Sequence, residues 1–119
     1  VGVDWPVVLS QAQSIALPCL VEIAGMLGPA IGPEKFEVGR DVYDAFVAND
    51  PEAAGGFRAI DDTHWLADIY YLARLQLQGL GVSQVWGGQF CTMTDAERFY
   101  SFRRDDVTGR MASLIWLEN

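Results

Sequence analysis

The 119-residue sequence is poor in the residue types that build metal centres and disulfide frameworks: it has one histidine, His64, and two cysteines, Cys19 and Cys91. Two cysteines are too few for a disulfide-stapled scaffold, and both suit a reducing cytoplasm. A single histidine with two distant cysteines has none of the spacings of zinc or copper sites, so no metal is expected in this chain. Ser-His-Asp catalysis would have to use His64, yet no Gly-x-Ser-x-Gly elbow accompanies it. P-loop and Gly-x-Gly-x-x-Gly patterns are also missing. The longest apolar stretch, Ile15 to Met26, is interrupted by Pro18 and Glu22. It falls short of the roughly 20 residues that a bilayer-spanning helix needs. A secretory signal needs a basic n-region, whereas the first basic residue here is Lys35, so no such signal is expected in this stretch. Basic residues are scarce as a class, eight against sixteen acidic for a net charge of −8. That field has the wrong sign for nucleic acid or an anionic membrane. The expectation is a cytoplasmic protein without nucleic-acid or membrane partners.

Half of the residues are hydrophobic and a fifth are charged, enough for one folded domain with a real core. Charge divides the chain: residues 1–33 carry only Asp4 and Glu22. Within them Val7–Leu9 reads as a short strand and Ile15–Met26 as a short helix broken at Pro18. Gly28–Pro33 is a loop, Phe36–Val38 a short extended piece, and Val38, Val42 and Phe46 share a helical stripe ending near Asn49. Leu66, Ile69, Tyr70, Ala73 and Leu77 predict a second helix, capped by Asp62 or Thr63 and closed by Gly79 or Gly81. His64 falls in its first turn. Val82–Trp86 reads as a buried strand. Thr94–Glu97 fits a capping box opening a short helix through Phe99. Tyr100–Phe102 and Ala112–Leu117 read as strands. The sum is an α+β domain with strands clustered late.

Arg98, Arg103, Arg104 and Arg110 fall within thirteen positions, with Asp105 and Asp106 among them. Guanidinium forks bind phosphate or carboxylate bidentately, so this segment predicts an anion cradle to which Thr108 and Gly109 add a hydroxyl and backbone N–H groups. The alternative is an Arg–Asp network that ties a loop to the domain. Cys91 follows a Gly-Gly turn near these arginines, where positive charge would favour its thiolate. The alternative there is a small buried apolar residue, and for Cys19 more so.

Three segments, in order, carry a resemblance. They are Leu27-Gly28-Pro29-Ala30-Ile31-Gly32-Pro33 running into Phe36-Glu37-Val38-Gly39, then Leu66-Ala67-Asp68-Ile69-Tyr70 with Leu72-Ala73-Arg74, and then Cys91-Thr92 followed by Arg98-Phe99-Tyr100-Ser101-Phe102-Arg103-Arg104-Asp105 and Thr108-Gly109-Arg110-Met111-Ala112. Together they resemble the C-terminal half of the YfiH family, the laccase-domain or multicopper polyphenol oxidase-like proteins, also described as purine nucleoside phosphorylases with adenosine deaminase activity. The resemblance implies an α+β layered sandwich of antiparallel or mixed sheets with outer helices, present here as an incomplete half. Residues 27–119 would be the C-terminal part of the domain and 1–26 an apolar segment outside the match.

The family's copper or zinc site uses two histidines and a cysteine of its N-terminal half, in contexts such as Gln-Val-His-Gly and His-Ala-Gly-Trp-Arg-Gly. Neither motif occurs in this sequence. The resemblance therefore implies a fragment or truncated member whose intact relatives act on nucleoside and phosphate, or on phenols. Its expected contribution is an anion pocket, with Arg103 and Arg104 as clamps, Arg110 as support and Cys91 lining the floor. The competing expectation is a non-catalytic remnant or a self-associating interaction module.

Overall fold

The computed structural model describes residues 24–114, and the expected Val7–Leu9 strand and most of the Ile15–Met26 helix lie outside them. Among the described residues, five short strands form two small sheets, accompanied by three α-helices. Strands β1 (Ala24–Leu27) and β5 (Gln84–Gly87) pair in parallel, with Met26 opposite Trp86. Strands β2 (Glu37–Gly39), β3 (Phe57–Ala59) and β4 (His64–Ala67) form an antiparallel sheet in the order β2-β4-β3. The described fold is α+β, as expected, with one parallel and one antiparallel sheet. Its strands all precede residue 88 among the described residues, so the late clustering does not hold.

The antiparallel sheet holds the core. Along β4 Trp65 and Ala67 point inward between the two flanking strands, and Val38 of β2 joins them. Helix α1 (Arg40–Asn49) lies over this sheet, stopped by Asp50-Pro51 as predicted. Its Tyr43 ring stacks on Trp65 at 4.4 Å between centroids and meets Phe57 edge-on at 5.3 Å. Such pairs add about 0.5–1.5 kcal/mol beyond their buried area. Val38 is the middle residue of β2 and does not start the helix. Pro51–Gly56 forms a 3-10 helix, with the Asp50 carboxylate accepting from Glu52 N–H at 3.0 Å.

Helix α2 (Ile69–Gly79) starts three residues later than its stripe suggested. Its cap is Asp68, whose carboxylate accepts from Tyr71 N–H at 3.0 Å. His64 to Ala67 are drawn into the sheet instead, because as the central strand they pair on both sides. Tyr70 and Leu72 are the residues that α2 buries. Its Leu77 side chain lies against Gly25, so the helix covers one face of the parallel pair. The other face is open: Met26 is 77% and Trp86 56% exposed, which corrects the expectation of a buried strand at 82–86.

Two later expectations also fail. Residues 94–99 form successive turns and no helix. Ser101 caps a short helix, α3 (Phe102–Asp105), by accepting from Arg104 N–H at 3.3 Å, where a strand was expected. Ala112–Leu114 is irregular, and the rest of that expected strand lies outside the described residues.

Candidate functional site

Parallel strands release their following loops at the same end of the sheet, and ligand crevices form there in open parallel sheets. Here β1 leads into the Gly28–Pro33 loop and β5 into Gly88–Thr92, so the two loops leave the pair side by side. The turn out of β5 needs glycine: Gly87 has φ +97°, and a Cβ there would sit 2.2 Å from the Leu27 carbonyl oxygen. Thr92 N–H donates to the Ala30 carbonyl at 3.0 Å and joins the loops directly.

Between them opens a cleft of about 390 Å³. One wall is Gly32 to Lys35; the other carries Phe90, Cys91, Thr94, Asp95 and Arg98. The Cys91 sulfur accepts from Gly32 N–H at 3.2 Å and from the Thr94 hydroxyl at 3.3 Å. Gly32 is the residue that permits this approach, since a Cβ on it would stand 3.0 Å from the Cys91 Cβ. Partial burial pushes the thiol pKa up, but the Thr94 hydroxyl and the backbone N–H groups of Gly32, Thr94 and Met93 outweigh it and hold the thiol below its ordinary value. The thiol is half-buried on an open wall.

The cleft's two carboxylates are already paired. Glu34 binds Arg58 of β3 at 2.9 Å, and Asp95 binds Arg98. Arg98 also lies over the rings of Phe90 and Phe99, at 4.7 and 5.6 Å from their centroids. The Arg98 hydrogen bond holds Asp95 below the usual carboxylate range. Lys35 lines the rim and enters no ion pair among the described residues.

The arginine cluster disperses. Arg103 donates to the Glu37 carbonyl at 2.9 Å and lies over the Phe36 ring, reaching β2. Arg104 points the other way and donates to the carbonyls of Thr92 (2.9 Å), Met93 (3.2 Å) and Phe99 (2.9 Å). Its Nε and second terminal nitrogen meet the Asp105 carboxylate at 2.9 and 2.8 Å. Four hydrogen bonds thereby hold the guanidinium, and Arg104 acts as a staple behind the Cys91 loop. Arg110 is exposed. Cys91 and Arg98 therefore share the cleft, Arg104 supports it from behind, and Arg103 faces another strand. Sequence reasoning missed Lys35, Thr94 and the Gly32 N–H; the Gly-Pro loop was visible, but its closeness to Cys91 depends on the parallel pairing of distant strands.

The copper or zinc of the resembled family needs a gathered ligand set. His64 sits exposed at the β3–β4 turn, its Nδ1 within 3.1 Å of Asp61 and 2.9 Å of the Thr63 hydroxyl, while Cys91 is in the cleft. Among the described residues no three of His, Cys, Asp and Glu come together. The described residues do not fit such a metal.

The fold and cleft define an α+β fragment with a thiol-bearing crevice at the carboxyl end of a parallel strand pair. The family described as multi-copper polyphenol oxidoreductase laccase matches residues 12–118, and the chain belongs to that family. Among curated relatives, purine nucleoside phosphorylase YfiH of Escherichia coli is 55% identical over 95 residues, covering 80% of this chain and 39% of that protein. A purine nucleoside phosphorylase of Pseudomonas aeruginosa is 52% identical over 99 residues, covering 82% and 41%. The crystal structure of a Neisseria meningitidis protein superposes with a TM-score of 0.77 at 54% identity, over 79% of this chain and 39% of that one. The chain thus spans about two fifths of the length of the curated relatives it matches.

Proposed function

We propose that this chain is the anion-binding part of a purine nucleoside phosphorylase of the YfiH type, acting in the cytoplasm on a small-molecule nucleoside and inorganic phosphate. The observation that supports the reading most directly is the 52–55% identity, over about four fifths of the chain, with proteins that carry that name. In phosphorolysis a phosphate oxygen attacks C1′ of the ribose, the N-glycosidic bond breaks, and the base leaves with the bonding pair and takes a proton. The protein's part is to hold the phosphate in line and to offset its charge.

Arg103 and Arg110, exposed and outside the cleft lining, are the anion ligands of this reading, while Lys35 and Cys91 belong to the cleft itself. Arg104, expected as a second clamp, serves by holding the loop. Adenosine deamination and phenol oxidation also come with the resemblance. No step through a metal is assigned to the residues of this chain.

The test is thermal unfolding of the purified chain with and without phosphate, at ionic strength fixed with chloride to keep screening of the net −8 charge constant. A ligand at a hundredfold excess over its Kd stabilises by about 2.7 kcal/mol. Arg103→Gln should abolish that gain. Equal phosphate effects in both proteins would remove Arg103 from the site, and no effect in either would favour the remnant reading.

A further inference from the structure

The two walls of the cleft belong to irregular loops, and something other than secondary structure must fix the gap between them. Tyr70, in the first turn of α2, is 4% exposed, yet its ring ends in a polar hydroxyl. That hydroxyl accepts from Ala30 N–H at 2.7 Å and has the Phe90 carbonyl at 2.7 Å as its nearest acceptor, with the Ala30 carbonyl at 3.1 Å. One proton and the oxygen's acceptor capacity are both used, and they bind opposite walls. Two residues past Ala30 is Gly32, whose N–H meets the Cys91 sulfur; one past Phe90 is Cys91 itself. Among the described residues the Thr92–Ala30 backbone bond also ties the loops, beside the Gly32–Cys91 contact.

We infer that Tyr70 is a positioning residue for the cleft: its buried hydroxyl fastens the Ala30 loop to the Phe90 loop and so keeps the Gly32 N–H aimed at the Cys91 sulfur. The assignment rests on the cleft being the functional site. The lowered thiol pKa is consistent with it, because one of the donors that lower it is the N–H that Tyr70 keeps in place. A buried hydroxyl with its bonds made is costly to remove on one side only, since the orphaned N–H and carbonyl must then find other partners.

The experiment reads the thiol and needs no substrate. In a Cys19→Ser background Cys91 is the one cysteine, and its alkylation by iodoacetamide is followed across pH. Tyr70→Phe, which keeps the ring and removes the hydroxyl, should move the midpoint of the profile upward by about half a pH unit or more. Val38→Ala, in the core of the other sheet, serves as a variant that lowers stability without touching the cleft and should leave the midpoint in place.

Should Tyr70→Phe fail to fold, Ala30→Pro deletes the same hydrogen bond from the loop side and carries the same expectation. A midpoint unchanged in the folded variant, or moved as far by Val38→Ala, overturns the assignment. Phosphate plays no part in this readout, so failure of the anion site and failure of the Tyr70 assignment give different results.

Discussion

Replacing Arg104 by glutamine isolates the difference between a staple and an anion clamp. The guanidinium is 22% exposed and serves three backbone carbonyls, those of Thr92, Met93 and Phe99, at 2.9–3.2 Å. Hydrogen bonds to a charged donor contribute about 1.5–3 kcal/mol each when buried, and about 1 kcal/mol is a fair figure for carbonyls that water can reach after the change. Three such bonds amount to about 3 kcal/mol. The Asp105 pair adds little, because that carboxylate is 42% exposed. Glutamine keeps one donor group, so the expected loss is about 2–3 kcal/mol. Lysine, with a point charge and no fork, should recover about 1 kcal/mol of it.

Urea unfolding followed by circular dichroism measures both. With a slope of about 1.5 kcal/mol per molar, the glutamine variant should unfold about 1.3–2 M earlier. Any stabilisation by phosphate should persist in the lysine variant, since the Arg104 guanidinium is turned to the Thr92, Met93 and Phe99 carbonyls and the Asp105 carboxylate. A loss below about 0.5 kcal/mol, or a phosphate effect that disappears with Arg104 while baseline stability holds, would refute the staple.

Trp65→Ala should cost about 3–5 kcal/mol, because the ring is buried in the central strand and stacked on Tyr43; loss of near-ultraviolet dichroism with a shifted unfolding midpoint would report it, and a cost under about 1 kcal/mol would place the core elsewhere. Acid should weaken the Cys91 loop through Asp95. Its carboxyl is held below the ordinary value of 3.8, first by the Arg98 side chain, so its stabilisation is complete above about pH 4 and fades as pH falls through the folded-state pKa. Asp95→Asn should therefore lower the melting temperature at neutral pH and converge with the parent in acid; a constant offset at every pH would show that Asp95 acts without its charge.

Legibility in the sequence followed the range of the forces. The α1 stop at Asp50-Pro51 and the Gly28–Pro33 loop were readable because proline and glycine act on the next bond. The start of α2 was misread because Leu66 fits both a helical stripe and the alternation of a strand, and only the two partners of β4 decide between them. Thr94-Asp95-Ala96-Glu97 has the letters of a capping box, yet the Asp95 side chain turns to Arg98 and no helix forms there. For the site, Cys91 and the arginines stood out by composition. Whether neighbouring Arg103 and Arg104 converge or diverge was not legible, since that depends on which carbonyls the chain brings within reach.

The pairing of Ala24 with Gln84 sets a schedule for assembly. The antiparallel sheet lies wholly inside the stretch between these partners, and its most distant paired residues, Glu37 and Leu66, are about half as far apart along the chain. Each doubling of a closed loop costs about 0.6 kcal/mol of chain entropy, and short-range contacts form before longer ones return their closure cost. On a growing chain β1 emerges early and waits for β5 until the intervening sheet and α2 have been made. The cleft, framed by the loops that leave β1 and β5, then closes after the antiparallel sheet, and slow folding among the described residues would show itself there first.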